Sequence, residues 1–228
     1  MKQKHSTCLN VGFLLSTITC PAAAISASET SDVTITIHLY NYAAVPEKTL
    51  AKAKEEAGGI FRNAGLTALW LDHALSVVDL RHPHESTDSW DRTHFVLRLL
   101  RRAREQSSKN AMGEAVSPEI ADVFVNRATE QAAVGELSVS RMLGHAIAHE
   151  IGHLLLGYNS HSPGGIMAAP WSRQDVCRIS KGNLLFTQQE VARIQAEGGF
   201  VAAQSFMPPI ESRRFRRGGF KRDRRSLG

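Results

Sequence analysis

Between residues 33 and 71 the hydrophobic period changes twice, and that change constrains the fold more than any other feature of the chain. VTITIHLY, residues 33–40, alternates, with Val33, Ile35, Ile37 and Leu39 on one face and Thr34, Thr36, His38 and Tyr40 on the other, which is the period of a strand. From Pro46 the period lengthens. Leu50, Ala53, Ala57, Ile60, Phe61 and Ala64 recur at helical spacing, and Gly65 supplies a stop. LTALWL, residues 66–71, returns to strand.

The remaining elements follow the same logic. HFVLRLL, residues 94–100, is a short apolar run read as a third strand, although the adjoining RRAREQ favours helix. AMGEAV, residues 111–116, reads as a short edge strand and IADVFVN, residues 120–126, as a longer one. A long helix is expected from Val139 to Leu156, where Met142, Leu143, Ala146, Ile147, Ile151, Leu154 and Leu155 share helical spacing. In FTQQEVARIQAE, Thr187 and Glu190 have the spacing of a capping box and open a final helix. No internal repeat is visible. This order of elements implies an α+β domain, a mixed sheet backed by helices, with an edge strand among its members.

With 228 residues, 43% hydrophobic and 21% charged, the chain has the size and composition of one compact domain, which excludes wholesale disorder and a multi-span membrane protein. Its ends differ from that domain. Residues 1–27 run from MKQKH through the apolar LNVGFLLSTIT to small residues at CPAAAISAS, the order of a secretory signal peptide cut after Ala24 or Ala27. The apolar run is too short to span a bilayer comfortably. Lipidation at Cys20 is the lesser reading, since Thr17 and Thr19 match poorly the residues that precede a lipidated cysteine. Cleavage would remove Cys8 and Cys20, leaving Cys177 alone, without a disulfide partner and expected as a small buried hydrophobe.

At the other end, the last eighteen residues carry eight Lys or Arg against Glu211 and Asp223, a balance of +6. Lys2 and Lys4 leave with the signal, so in a chain of net charge +5 the body between is about −3. The high pI therefore belongs to residues 207–228, a tail without apolar period that is expected to be disordered. It could touch an anionic polymer or membrane surface without specific nucleic-acid recognition, and a solvated tail with no partner explains it equally well. The globular domain is expected over residues 28–206, in a secreted or periplasmic protein.

The chemistry concentrates in HEIGHLLLGYNSH, residues 149–161. His149 and His153 are four apart, which on a helix stacks them on one face where two imidazoles can converge on one ion. Glu150, beside the first, can reach a water at such a site without ligating the metal. Leu154, Leu155 and Leu156 would bury the end of the helix, and Gly157 can take the left-handed conformation that ends it. A catalytic zinc uses three protein ligands and one open position. His145 shares the helix face, but three ligands along one straight helix cannot surround an ion tetrahedrally, which leaves it a packed or outer histidine. Glu190 already serves as partner of Thr187. His161 remains as the third ligand, because the turn at Gly157 can bring it back beneath the metal.

HExxHxxxGxxxH followed by Met167 in GGIMAAPW resembles the zincin metallopeptidases, and within them the metzincins, in particular the matrixin-like pattern. The order of features is the same, with the glycine one position and the third histidine two positions further along. The resemblance implies a zincin-like fold, a Zn2+ ion on His149, His153 and His161, a Met-turn at Met167, and an extended peptide or protein substrate lying along residues 111–116. It implies an endopeptidase in which Glu150 is the general base, with a specificity pocket near Pro170 and Trp171. The Tyr158 hydroxyl lies in a loop from which it could support the oxyanion, although a plain surface tyrosine is the stronger reading of that residue. The competing readings are a zincin fold that has lost proteolysis and binds a polyanion through its tail, and a small-molecule metallohydrolase.

Overall fold

The computed structural model describes residues 33–74, 93–105, 107–108, 111–158 and 160–205. The expected signal segment, the basic tail and most of the connection following residue 74 lie outside the described residues. The elements in chain order are β1 (Val33–Tyr40), α1 (Glu47–Asn63), β2 (Leu66–His73), β3 (His94–Leu100), β4 (Gly113–Ala115), β5 (Ile120–Phe124), α2 (Val125–Val134), α3 (Val139–Leu156), α4 (Arg173–Ser180) and α5 (Gln188–Ser205). This is the expected α+β architecture.

The strands form one mixed sheet in the order β2-β1-β3-β5-β4. β1 pairs in parallel with β2 and β3, β3 pairs in parallel with β5, and β4 closes one edge antiparallel to β5. The helical period between two strand periods is the reason for the first pairing. Parallel neighbours need a crossover, and α1 supplies it. One sheet face is apolar: Ile35, Ile37, Leu39, Leu97 and Val123 join Ala57 and Phe61 of α1 and Leu143, Ile147 and Ile151 of α3 in a single core. α1 and α3 meet closely at Gly144, where a Cβ would stand 2.6 Å from Cβ of Glu56 and 2.8 Å from the Ala53 carbonyl oxygen.

The middle of the opposite face is polar yet buried, whereas Thr34 of β1 and Leu69 and Leu71 of β2 on that side are exposed. Thr36, His38, Tyr40, Arg98 and Asp122 are all buried there, with Arg98 and Arg104 both bonded to the Asp122 carboxylate. Two charges removed from water persist only when paired and hydrogen-bonded in this way.

Several expectations are corrected. The strand read at residues 120–126 ends at Phe124 and passes directly into α2, whose Ala128 and Ala132 are buried one turn apart. The edge strand read at residues 111–116 is shorter, Gly113–Ala115. α4 was not anticipated, although Ser172 and Asp175 form a capping box at its start. Cys177 is exposed, because α4 turns Asp175 and Ile179 inward instead.

Candidate metal centre

α3 carries the centre, and its geometry follows from its sequence. The Ser138 side chain caps its first turn by accepting from the Arg141 amide, and fourteen of its eighteen residues are buried, so the helix is held on nearly every side. Its C-terminal end is covered as the leucines suggest, with Leu156 buried and Leu154 and Leu155 packed against the core. Gly157 then turns the chain with φ 92° and ψ 163°. Its φ is positive as expected, but its ψ is extended, a combination essentially restricted to glycine. The chain therefore leaves the helix at once instead of curling back in a left-handed cap.

The loop that follows returns His161 to the helix. Its ring centroid lies 5.5 Å from that of His149 and 4.7 Å from that of His153. One ring nitrogen from each of the three histidines falls within 4.8 Å of the others, the one such group among the described residues. The second nitrogens explain why these converge. Nδ1 of His149 lies 2.7 Å from the carbonyl oxygen of Ile166, which can only accept, so that ring carries its proton on Nδ1 and a lone pair on Nε2. Nδ1 of His153 is 3.1 Å from Oγ of Ser160, and the two Nε2 atoms are 3.2 Å apart. A hydroxyl can donate or accept, so Ser160 serves either tautomer of His153: one in which Nε2–H donates to His149, and one in which both Nε2 lone pairs point at a shared cation.

Electrostatics reinforce this donor set. Burial is the main cause that lowers the pKa of His149 to about 4, with the Ile166 carbonyl opposing and His161 adding to the effect. Burial, then the neighbouring His149 and His161, lower His153 to about 3. Both rings are therefore neutral near pH 7, which is the ligating form. Three imidazoles, two with their second nitrogen tied to an oxygen, form a donor set that fits zinc.

Glu150 projects from the same helix toward the sheet edge. It is buried, and burial first, then the carboxylates of Glu114 and Asp122, raise its pKa well above the ordinary range. β4 passes directly over it at Gly113, where a Cβ would come within 2.5 Å of Cγ of Glu150. Only a residue without a side chain lets the edge strand and the carboxyl approach so closely.

The floor is the turn around Met167. Met167 is fully buried, and its sulfur lies 2.5 Å from where a Cβ on Gly152 would stand, so it packs against α3 between the two histidine turns. The Ile166 carbonyl that holds His149 also accepts from Nε1 of Trp171 at 3.0 Å, and the Trp171 ring stands edge-on to His149 at 5.7 Å. Above this floor a cleft of about 430 Å³ runs between β4 and the segment Ala168–Trp171.

Each residue singled out in the sequence has a definite place. His149, His153 and His161 come together, Glu150 lines the same cleft, and Met167 lies beneath. Pro170 and Trp171 form part of its wall. Tyr158 also lines the cleft, but its hydroxyl donates to the backbone carbonyl of Ala115 on the edge strand, so support of an oxyanion would require that bond to be released. His145 is a packed histidine, with Nδ1 2.9 Å from the Arg141 carbonyl oxygen and its ring edge-on to Trp171. Glu190 closes the capping box with Thr187. Sequence reasoning missed Ser160, the Ile166 carbonyl and Gly113. Ser160 was open to detection as a hydroxyl beside the third histidine, whereas a backbone acceptor and a close approach leave no mark in residue type.

No protein-family model matches the sequence, and no curated protein proved similar to it. Among solved structures, the chain is similar to archaemetzincin from Methanopyrus kandleri, with a TM-score of 0.48 and 16% identity over 75% of this chain and 98% of that one.

Proposed function

We propose that the protein is a zinc-dependent peptidase, with His149, His153 and His161 as metal ligands and Glu150 as general base. The observation that carries this reading is the convergence of three ring nitrogens beside a buried carboxyl in one open cleft. When bound there, zinc supplies Lewis acidity and lowers the pKa of a water at the site toward neutrality. The chain's own groups do the rest. Glu150, its pKa already raised by burial, is suited to take a proton from the attacking water and return it to the departing amine.

The edge strand offers the place for a peptide. In the pairing of β4 with β5, Phe124 N–H donates to the Met112 carbonyl and Val116 N–H donates to that of Ile120. Antiparallel bonding alternates, so the backbone groups of Gly113 and Ala115 point away from β5, toward the free edge. An extended substrate can pair with them and bring its carbonyl opposite Glu150. The signal-like residues 1–27 support action outside the cytoplasm, which cell fractionation checks, and the basic tail would favour an anionic surface.

The test is hydrolysis of a mixed peptide library by purified, zinc-loaded protein, compared with Glu150→Gln. Loss of cleavage in the variant with zinc retained supports the proposal. Equal cleavage by both proteins would remove Glu150 from the mechanism.

A further inference from the structure

Tyr158 joins the two walls of the cleft. It stands one residue beyond the turn at Gly157, on the loop that carries His161, yet its hydroxyl is bonded to the Ala115 carbonyl on β4. Ala115 is one of the two residues of β4 whose backbone groups face the free edge. The bond therefore occupies an acceptor that an extended peptide would use. Among the described residues this is the one side-chain hydrogen bond of the tyrosine, which is 67% exposed. The pivot behind it is also open: Gly157 has positive φ, and a Cβ built there would meet nothing within 4 Å. The side chain is thus held across the cleft by its hydroxyl while its surroundings leave room for it to swing away.

Resting on the peptidase reading for the identity of the occupant, we infer that Tyr158 is a clasp which a peptide must open in order to run along β4 past Ala115, so that the clasp sets affinity by peptide length. A short peptide seated at Gly113, opposite Glu150, can lie on the side away from Ala115 and leave the clasp shut. A longer one must take the Ala115 carbonyl from the tyrosine. An exchange of one hydrogen bond for another contributes little net affinity, whereas an acceptor already vacant contributes its full share.

The experiment measures binding without cleavage. Fluorescein-labelled tri-alanine and octa-alanine are titrated by anisotropy against zinc-loaded Glu150→Gln protein and against the same protein carrying Tyr158→Phe, which removes the hydroxyl and keeps the ring. Octa-alanine is expected to bind the Phe variant about threefold to tenfold more tightly, with tri-alanine unchanged, as the loss of one competing hydrogen bond implies. Equal tightening of both peptides, no change in either, weaker binding of the long one, or failure of octa-alanine to bind either protein overturns the clasp. In the active protein the same substitution should lower KM for long peptides and spare kcat. A fall in kcat at constant KM would place the hydroxyl on the oxyanion instead. Because the binding arm needs no turnover, a failure of the clasp is separable from a failure of the peptidase reading.

Discussion

Two clusters of three histidines stand within this one small domain, and they have opposite designs. His149, His153 and His161 gather on α3 and the loop after it, whereas His38, His73 and His94 lie on the adjacent strands β1, β2 and β3, on the sheet face turned away from α3. In the strand cluster, His38 presents Nδ1 to Nε2 of His73 at 2.9 Å and Nε2 to Nδ1 of His94 at 3.1 Å. The central ring uses its two sides for two different neighbours, so the three rings form a row. In the helix cluster the outer nitrogens of His149 and His153 are tied to oxygens and the inner ones meet. Oxygens at the outer nitrogens of His149 and His153 leave the inner ones free to converge, which the end-to-end bonding of the strand row does not allow His38.

The largest expected effect separates the clusters outright. His153→Ala should reduce zinc from about one per chain to nearly none, as a site with three protein ligands cannot readily spare one. His38→Ala should leave the stoichiometry unchanged. Metal analysis of the purified proteins decides, and loss of zinc from the His38 variant would mean that the row of strand histidines holds metal too. Next comes Glu150→Gln. General-base removal should lower kcat by about 10²–10⁴. Its thermal midpoint should not fall, because the substitution relieves a buried carboxyl whose ionisation burial opposes. A lowered midpoint measured by calorimetry would show that the carboxylate is structural.

The difference between the clusters also marks what the sequence could disclose. The convergence of the helix cluster was legible because its three rings obey local rules: His149 and His153 share a helix face, and His161 follows a glycine turn. The strand cluster was not, since His38, His73 and His94 meet only through the parallel register of three strands, which pairs His38 with Leu71 on one side and Val96 on the other. The period-two pattern of β1 disclosed a strand and its two faces, but not that both faces would be buried. α2 was missed and its first residues were read as the end of β5, because no Gly or Pro stands between Phe124 and Val125 and the apolar run hides the change of dihedral. The Ser172–Asp175 box that starts α4 was present in the sequence and could have been read by the rule that found Thr187 and Glu190.

A smaller effect is expected where the helix cluster is held rather than formed. Ser160→Ala deletes the hydroxyl beside Nδ1 of His153 and leaves all three ligands in place. Loss of a ligand's outer partner typically weakens metal binding by about 10- to 100-fold, and competition with a chromophoric chelator measures it. His73→Phe, which removes a comparable partner from His38, should leave zinc affinity unchanged. Equal affinity in the Ser160 variant would mean that the loop alone orients His153.

The last effect concerns the metal-free protein and its response to acid. In the unfolded chain the imidazoles of His149 and His153 take up a proton near pH 6.5, whereas in the fold His149 does so only near pH 4 and His153 only near pH 3. Between these limits the unfolded state binds more protons, so stability is full above pH 6.5 and declines as the pH falls toward 3. The cause is chiefly burial, which penalises the charged ring, and secondly the like charge of the neighbouring histidines. Replacing His153 by Ala removes one of these groups and should flatten the dependence, shifting the metal-free melting midpoint less over the same range. Replacing His149 instead should flatten it too, and should also raise the pKa of His153, because that ring loses a neighbour whose charge opposes its own. A steeper acid loss in either variant would mean that other buried groups govern the slope, and that the two histidines pack in the apo fold without burdening it.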